Sequence, residues 1–316
     1  MSLSRVTLLF ALLASAVASA QPFRRTVAGM SNDTTLCVTW ADRNFDYRAD
    51  QDGSLQTPGE TEFTAIDSSF ASWQAISDTC SDFRFIRGQR ISNGKVGKGT
   101  ESENLVVFRE TSCREVVPPS DTCLSDGSCA NVHRCWDHSE GTIGLTTVTY
   151  STRTGVAIDA DIELNASNFL FTTISSPPCE AGREDVSCVA YDVQNTLTHE
   201  IGHAVGFDHV DDPSSTMAPT APVGETSKRV IDVGTAAGFC QTYPRGQPPV
   251  PCDDLAVLRS RIIARNTGTF GLSCVASASA ASPVLMLMGL LLMRTRVRVR
   301  RDAPPRNRGP VEPGRS

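Results

Sequence analysis

Four residues in one stretch of eleven are spaced for hydrolytic chemistry: His199-Glu200-Ile201-Gly202-His203-Ala204-Val205-Gly206-Phe207-Asp208-His209. Four positions apart on a helix, His199 and His203 leave the same face about one turn apart and can share one Zn²⁺. Glu200 points to the side, where it reaches a water on the metal without being a ligand. Gly206 permits the backbone conformation that ends the helix and turns the chain back, so that His209 approaches as third ligand. Three protein ligands leave a fourth position for water, the mark of a catalytic rather than a closed structural site. The chemistry of such a set is hydrolysis by a metal-activated water, with Glu200 as general base. Five fixed identities at these spacings arise by chance in a chain of this length on the order of once in ten thousand. His133 and His138, the remaining histidines, read as loop residues, with a secondary metal site as the alternative.

The segment needs a helix under it and a sheet beside it. Val193, Leu197, Ile201 and Val205 mark the buried side of a helix from about Asp192 to Gly206. A first helix is expected over 57–77. Thr57-Pro58-Gly59-Glu60 offers a capping box with Pro at N1, and Phe63, Ile66, Phe70, Trp73 and Ile76 form one apolar stripe. Strands are expected at 82–86, 105–109, 143–150 and 156–164. In the last, Val156, Ile158, Ala160, Ile162 and Leu164 alternate with Ala157, Asp159, Asp161 and Glu163, which predicts a half-buried strand. A further helix is expected near 230–242 and a small amphipathic one at 254–265. Strands and helices around one sheet give an α+β class. Asp50-Gln51-Asp52-Gly53-Ser54 resembles the start of a Ca²⁺ loop, but its glycine is misplaced and no glutamate closes it, so it reads as a turn, with Ca²⁺ as the alternative.

Composition sets the compartment. The chain has 316 residues, 40% hydrophobic and 20% charged, a balance that suits a folded protein. Eleven cysteines without a CxxC argue for an exported disulfide framework rather than a cytosolic metal ribbon. Arg5, the apolar run 6–17 and Ala18-Ser19-Ala20 read as a signal peptide over 1–20. Residues 21–36 are polar, hold no cysteine and are expected to be a loose short leader. A catalytic unit is expected over 37–244, with a Cys-rich insertion at 113–135, then a linker with a short helix at 245–273. Cys179–Cys188 and Cys240–Cys252 are the expected local disulfides. Residues 275–293 carry no charge and are just long enough as a helix to cross a bilayer. Arginines follow from Arg294, and 302–316 reads as a disordered tail. Without the two ends, residues 21–274 carry a net −13, which does not suit binding to nucleic acid.

The histidine segment resembles the metzincin signature of zinc endopeptidases, HExxHxxGxxH followed by a methionine turn. Met217, in Ser215-Thr216-Met217-Ala218-Pro219, is the matching methionine, and the short gap from His209 is most similar to the matrixin branch. The resemblance implies a zincin fold: a twisted, mostly parallel sheet with an antiparallel edge strand, an active-site helix and a small C-terminal subdomain. It implies one catalytic Zn²⁺, protein or peptide substrates, and an edge strand for extended substrate matched to Ala160, Asp161, Ile162 and Glu163. Val210 stands where matrixins usually place Ser or Thr, and Ala221 where they often have a tyrosine lining the specificity pocket. Ser273-Cys274, the apolar run 275–293 and the arginines 294–301 resemble the tripartite sorting signal of myxobacterial surface proteins. That resemblance makes Cys274 a sorting or lipidation residue and a C-terminal sorting protease a partner. A plain membrane anchor through 275–293 is the alternative, and a non-catalytic surface adhesin on the same scaffold is the rival to the enzyme.

Overall fold

The computed structural model describes residues 23–31, 34–97, 103–250, 252 and 272–276. The signal segment 1–20, the helix at 254–265 and the tail 302–316 lie outside the described residues. So does the apolar run 275–293, apart from Val275 and Ala276. No helix among the described residues is long and apolar enough to cross a membrane.

In chain order the strands are β1 (Arg24–Arg25), β2 (Val27–Ser31), β3 (Thr34–Cys37), β4 (Asn44–Ala49), β5 (Arg84–Arg87), β6 (Leu105–Phe108), β7 (Thr142–Tyr150), β8 (Ala157–Leu164), β9 (Phe171–Thr172), β10 (Tyr191–Asp192), β11 (Phe207–Asp208), β12 (Thr220–Ala221) and β13 (Leu272–Ala276). The helices are α1 (Thr61–Cys80), α2 (Cys113–Val116), α3 (Cys123–Asp126), α4 (Cys129–Val132), α5 (Val193–Ala204) and α6 (Val233–Thr242). The fold is α+β. Its main sheet runs β5-β4-β6-β8-β7, parallel except for β7, which is antiparallel to β8. Beyond β7 come β13, antiparallel to it, and β12, parallel to β13.

The expected apolar stripe of α1 is its buried face: Phe63, Ile66, Phe70 and Trp73 lie in the core. Its start differs from the capping box. A 3₁₀ turn covers Pro58–Glu60, with Gly59 and Glu60 left-handed, and α1 begins at Thr61. Thr57 Oγ1 donates to Glu62 Oε2 (2.5 Å) and Ser54 N to Glu62 Oε1 (3.2 Å), so the reciprocal carboxylate stands two residues later than expected. Trp73 Nε1 donates to the Thr198 carbonyl at 2.9 Å, fixing α1 against α5.

The described part of the expected loose leader, 23–31 and 34–36, instead forms strands. β2 and β3 form an antiparallel hairpin, and β1 pairs with β11, immediately before His209. The disulfide expectation is corrected as well. Cys179–Cys188 forms, but Cys240 on α6 bonds Cys80 at the end of α1, where α6 packs, and Cys252 bonds Cys37. The Cys-rich segment holds α2, α3 and α4 around Cys113–Cys135 and Cys123–Cys129. All ten cysteines from Cys37 to Cys252 are paired.

The largest correction concerns β8. Ala160, Asp161, Ile162 and Glu163 do not line an edge, because β6 flanks β8 on one side and β7 on the other. Its acidic face is covered rather than solvated. Asp161 accepts from Gly97 N (2.5 Å) and Leu105 N (3.0 Å), and Glu163 Oε2 accepts from Arg109 Nε at 2.6 Å with both side chains buried. Burial alone would raise the pKa of Glu163, but the Arg109 charge and His138 outweigh it and bring it to about 2. The pair therefore stabilises the fold above the ordinary carboxylate value of 4.5 and loses that contribution as pH falls towards about 2. Arg109→Met strands a buried carboxylate and is expected to cost about 3–5 kcal/mol in urea unfolding at pH 7. Against that background, the additional change Glu163→Gln is expected to restore much of the loss.

Candidate metal centre and cleft

Asp192 caps α5 by accepting from Asn195 N at 2.7 Å, and Arg229 Nε in turn donates to Asp192 Oδ1 at 2.8 Å. The helix carries His199, Glu200 and His203, all buried. It ends at Ala204, and the chain turns at Gly206, whose φ of +95° suits a residue without Cβ; a Cβ there would stand 2.4 Å from the Val38 carbonyl. The chain then returns through β11 and brings His209 to the helix face.

The three Nε2 atoms converge: His199 to His203 is 3.1 Å, His203 to His209 is 3.1 Å and His199 to His209 is 3.2 Å. His199 Nδ1 donates to the Thr216 carbonyl (2.6 Å) and His203 Nδ1 to the Phe207 carbonyl (2.8 Å). Those bonds place the proton on Nδ1 and turn the Nε2 lone pairs towards one another. Tetrahedral ligands at about 2.0–2.1 Å from one zinc stand about 3.3 Å apart, so this donor set fits the ion. Burial holds all three rings neutral, lowering the His203 pKa to about 4 and those of His199 and His209 well below the ordinary value. Neutral imidazole is the ligating form.

Met217, next to the Thr216 carbonyl that orients His199, is buried. A Cβ on Gly202 would stand 2.3 Å from Met217 Sδ, so the glycine lets the methionine turn close against α5. Val210, buried, donates its N–H to the Met217 carbonyl at 3.1 Å and ties the two ends of the loop together. Asp232, the N-cap of α6, accepts from Thr216 N at 2.7 Å and from Ser215 Oγ at 3.0 Å.

Glu200 stands against β7. Thr146 Oγ1 lies 2.7 Å from Glu200 Oε2 and donates to the carboxylate, and a Cβ at Gly144 would lie 2.8 Å from Glu200 Oε1. In the same sheet, on the far side of β13, β12 is held by Lys228, whose Nζ donates to the Thr220 carbonyl (2.5 Å) and pairs with Glu225 (3.2 Å).

Residues 132–243 match the Matrixin family model. This span runs from the end of the Cys-rich segment to the end of α6 and includes α5, the three histidines and Met217. The matched segment is matrixin-like, which supports a zinc-dependent metalloendopeptidase acting on protein or peptide substrates.

The other candidate sites resolve differently. His133 Nε2 pairs with Asp121 (2.9 Å) beside Cys123, which its disulfide to Cys129 removes as a metal ligand. His138 bonds Glu163 at 3.2 Å. Asp50 and Asp52 both take Arg134 Nη2 at 2.7 Å, so a guanidinium stands where the Ca²⁺ alternative would put the cation. Sequence reasoning did not find Thr146, Gly144, Asp232 or Thr26. Thr26 Oγ1 donates to the same Phe207 carbonyl that orients His203, at 2.9 Å. These residues act on a site more than ten positions away, and no local pattern announces them.

Gly202→Ala tests the methionine floor. It is expected to cost about 1–3 kcal/mol through overpacking and to speed zinc loss to a chelator. Pairing it with Met217→Ala is expected to recover part of the thermal stability.

Proposed function

We propose that the protein is an exported, surface-held zinc endopeptidase in which His199, His203 and His209 hold the metal and Glu200 is the general base. The observation that carries this reading is the convergence of three Nε2 atoms at 3.1–3.2 Å beside the carboxylate of Glu200. A zinc ion held there supplies Lewis acidity for the scissile carbonyl and brings the pKa of water to about 7. Glu200 takes the proton that the attacking water loses and passes it to the leaving amine. The Thr146 hydroxyl holds the carboxylate in place for both transfers.

The edge that receives substrate in this reading is β7, with Thr142–Thr146 offering main-chain groups to an extended peptide and β12 facing it across the cleft. Ala221 leaves the β12 wall without a bulky side chain, so the pocket beside the metal admits larger substrate groups than a tyrosine there would allow.

Five disulfides support an oxidising compartment. Residues 1–20 then direct export. Cys274 with the segment 275–301 keeps the protein at the surface, through a sorting protease that removes the segment or through a retained span.

Glu200→Ala is expected to keep a full equivalent of zinc by metal analysis and to lose about 10²–10⁴-fold in peptide hydrolysis. Equal cleavage of casein by variant and wild type overturns the assignment of the base. Mass spectrometry of the mature C-terminus tests the surface reading. A chain ending before Arg294 is expected from sorting by cleavage, and one ending beyond it means a retained anchor.

A further inference from the structure

β13 is the strand no part of the catalytic reading uses, and its place is informative. Leu272, Ser273 and Cys274 pair antiparallel with Thr146, Leu145 and Gly144 of β7. Val275 pairs with Thr142 of β7 and, in parallel, with Thr220 of β12, and Ala276 pairs with Ala221. β13 therefore fills the gap between the two strands, and its Cα positions come within 8 Å of those of α5.

The register puts the strand over the chemistry. Thr146 and Gly144 are the β7 residues that touch Glu200, and they face Leu272 and Cys274. The register slips between Cys274 and Val275, where β7 passes over Ile143. At that slip the chain passes from pairing with β7 alone to pairing with both walls. An extended peptide reading the same edge needs the same main-chain groups, and two strands cannot share one edge.

We propose that Leu272–Ala276 is the cleft's resident occupant: the chain blocks its own active site by strand addition, and substrate gains access when this segment is withdrawn. The proposal rests on the peptidase reading above. Cys252 is fixed to Cys37, and Leu272 follows it by twenty positions. A short tether of this kind gives an effective concentration of about millimolar, which an external peptide at micromolar concentration does not match. The slip at Cys274/Val275 breaks regular pairing beside Glu200, which suits an occupant that blocks rather than one aligned for cleavage.

The test uses the zinc-loaded full chain and two double variants, L272P/C274P and S273P/V275P. Alternate residues of a strand donate to the same neighbour, so one of the two variants removes the N–H groups given to β7. All four positions lie outside the catalytic residues. Two quantities are read: kcat/KM on a fluorogenic peptide, and hydrogen exchange at the Gly144–Thr146 amides. The expected result is at least a tenfold rise in kcat/KM for one or both variants, with faster exchange at those amides. Unchanged kcat/KM in both variants overturns the block. Recovery of the wild-type chain cut within 272–276, with the E200Q chain intact, also overturns it by making the segment a substrate. If no form hydrolyses peptide, the peptidase reading fails, and exchange alone then decides whether the strand is docked: unchanged exchange removes it, faster exchange supports it.

Discussion

Three imidazole lone pairs held 3.1–3.2 Å apart are the constraint on which the rest of the structure depends. Without a cation among them they repel, and in water the rings would rotate apart or take up protons. The fold prevents both, by burial and by giving two Nδ1 protons a main-chain carbonyl each. Those carbonyls have their own supports. The Phe207 carbonyl is fixed by the turn at Gly206, by the Thr26 hydroxyl and by the pairing of β1 with β11. The Thr216 segment is fixed by Asp232 at the start of α6. Strand β1, the end of α5 and the first turn of α6 thus support the three ring nitrogens.

Metal preorganisation and stability are coupled through this arrangement. α5 is braced from below by Trp73 of α1 and by Met217, whose seat requires Gly202. Replacing any of these supports disturbs the placement of a ligand without removing its donor atom. The consequence is weaker metal retention before any loss of fold, because ligand placement is the more demanding requirement.

Local chemistry was legible in the sequence, and pairing between distant segments was not. The zinc-binding pattern lies within eleven residues, and one helix with one glycine turn sets its geometry, so residue types and spacing suffice to read it. The stripe on α1 is legible for the same reason. The alternation of β8 identifies a strand but is silent about its neighbours. Asp159, Asp161 and Glu163 look solvated in sequence, whereas the backbone N–H groups of Gly97 and Leu105 and the Arg109 guanidinium satisfy Asp161 and Glu163 inside the protein. Cys240 and Cys252 are near in sequence, but α6 turns Cys240 onto α1, and only the packing of those helices selects Cys80. The leader looked loose because its polar residues pair through the backbone, a contribution that side-chain pattern does not report.

The edge of β7 faces opposing demands. An open edge strand invites pairing with any extended chain, and a cleft that takes extended peptides has to keep such an edge. Covering it with a tethered strand of the same chain satisfies both, provided the cover is weaker than the sheet beneath. β13 meets that condition: it pairs with β7 at four residues, while β7 and β8 pair at seven. Under the two proposals Cys274 belongs to two systems at once, the surface-holding segment and the strand beside β7. An event that pulls on, trims or anchors the chain at this residue would then change the pairing on β7 as well as what holds the chain.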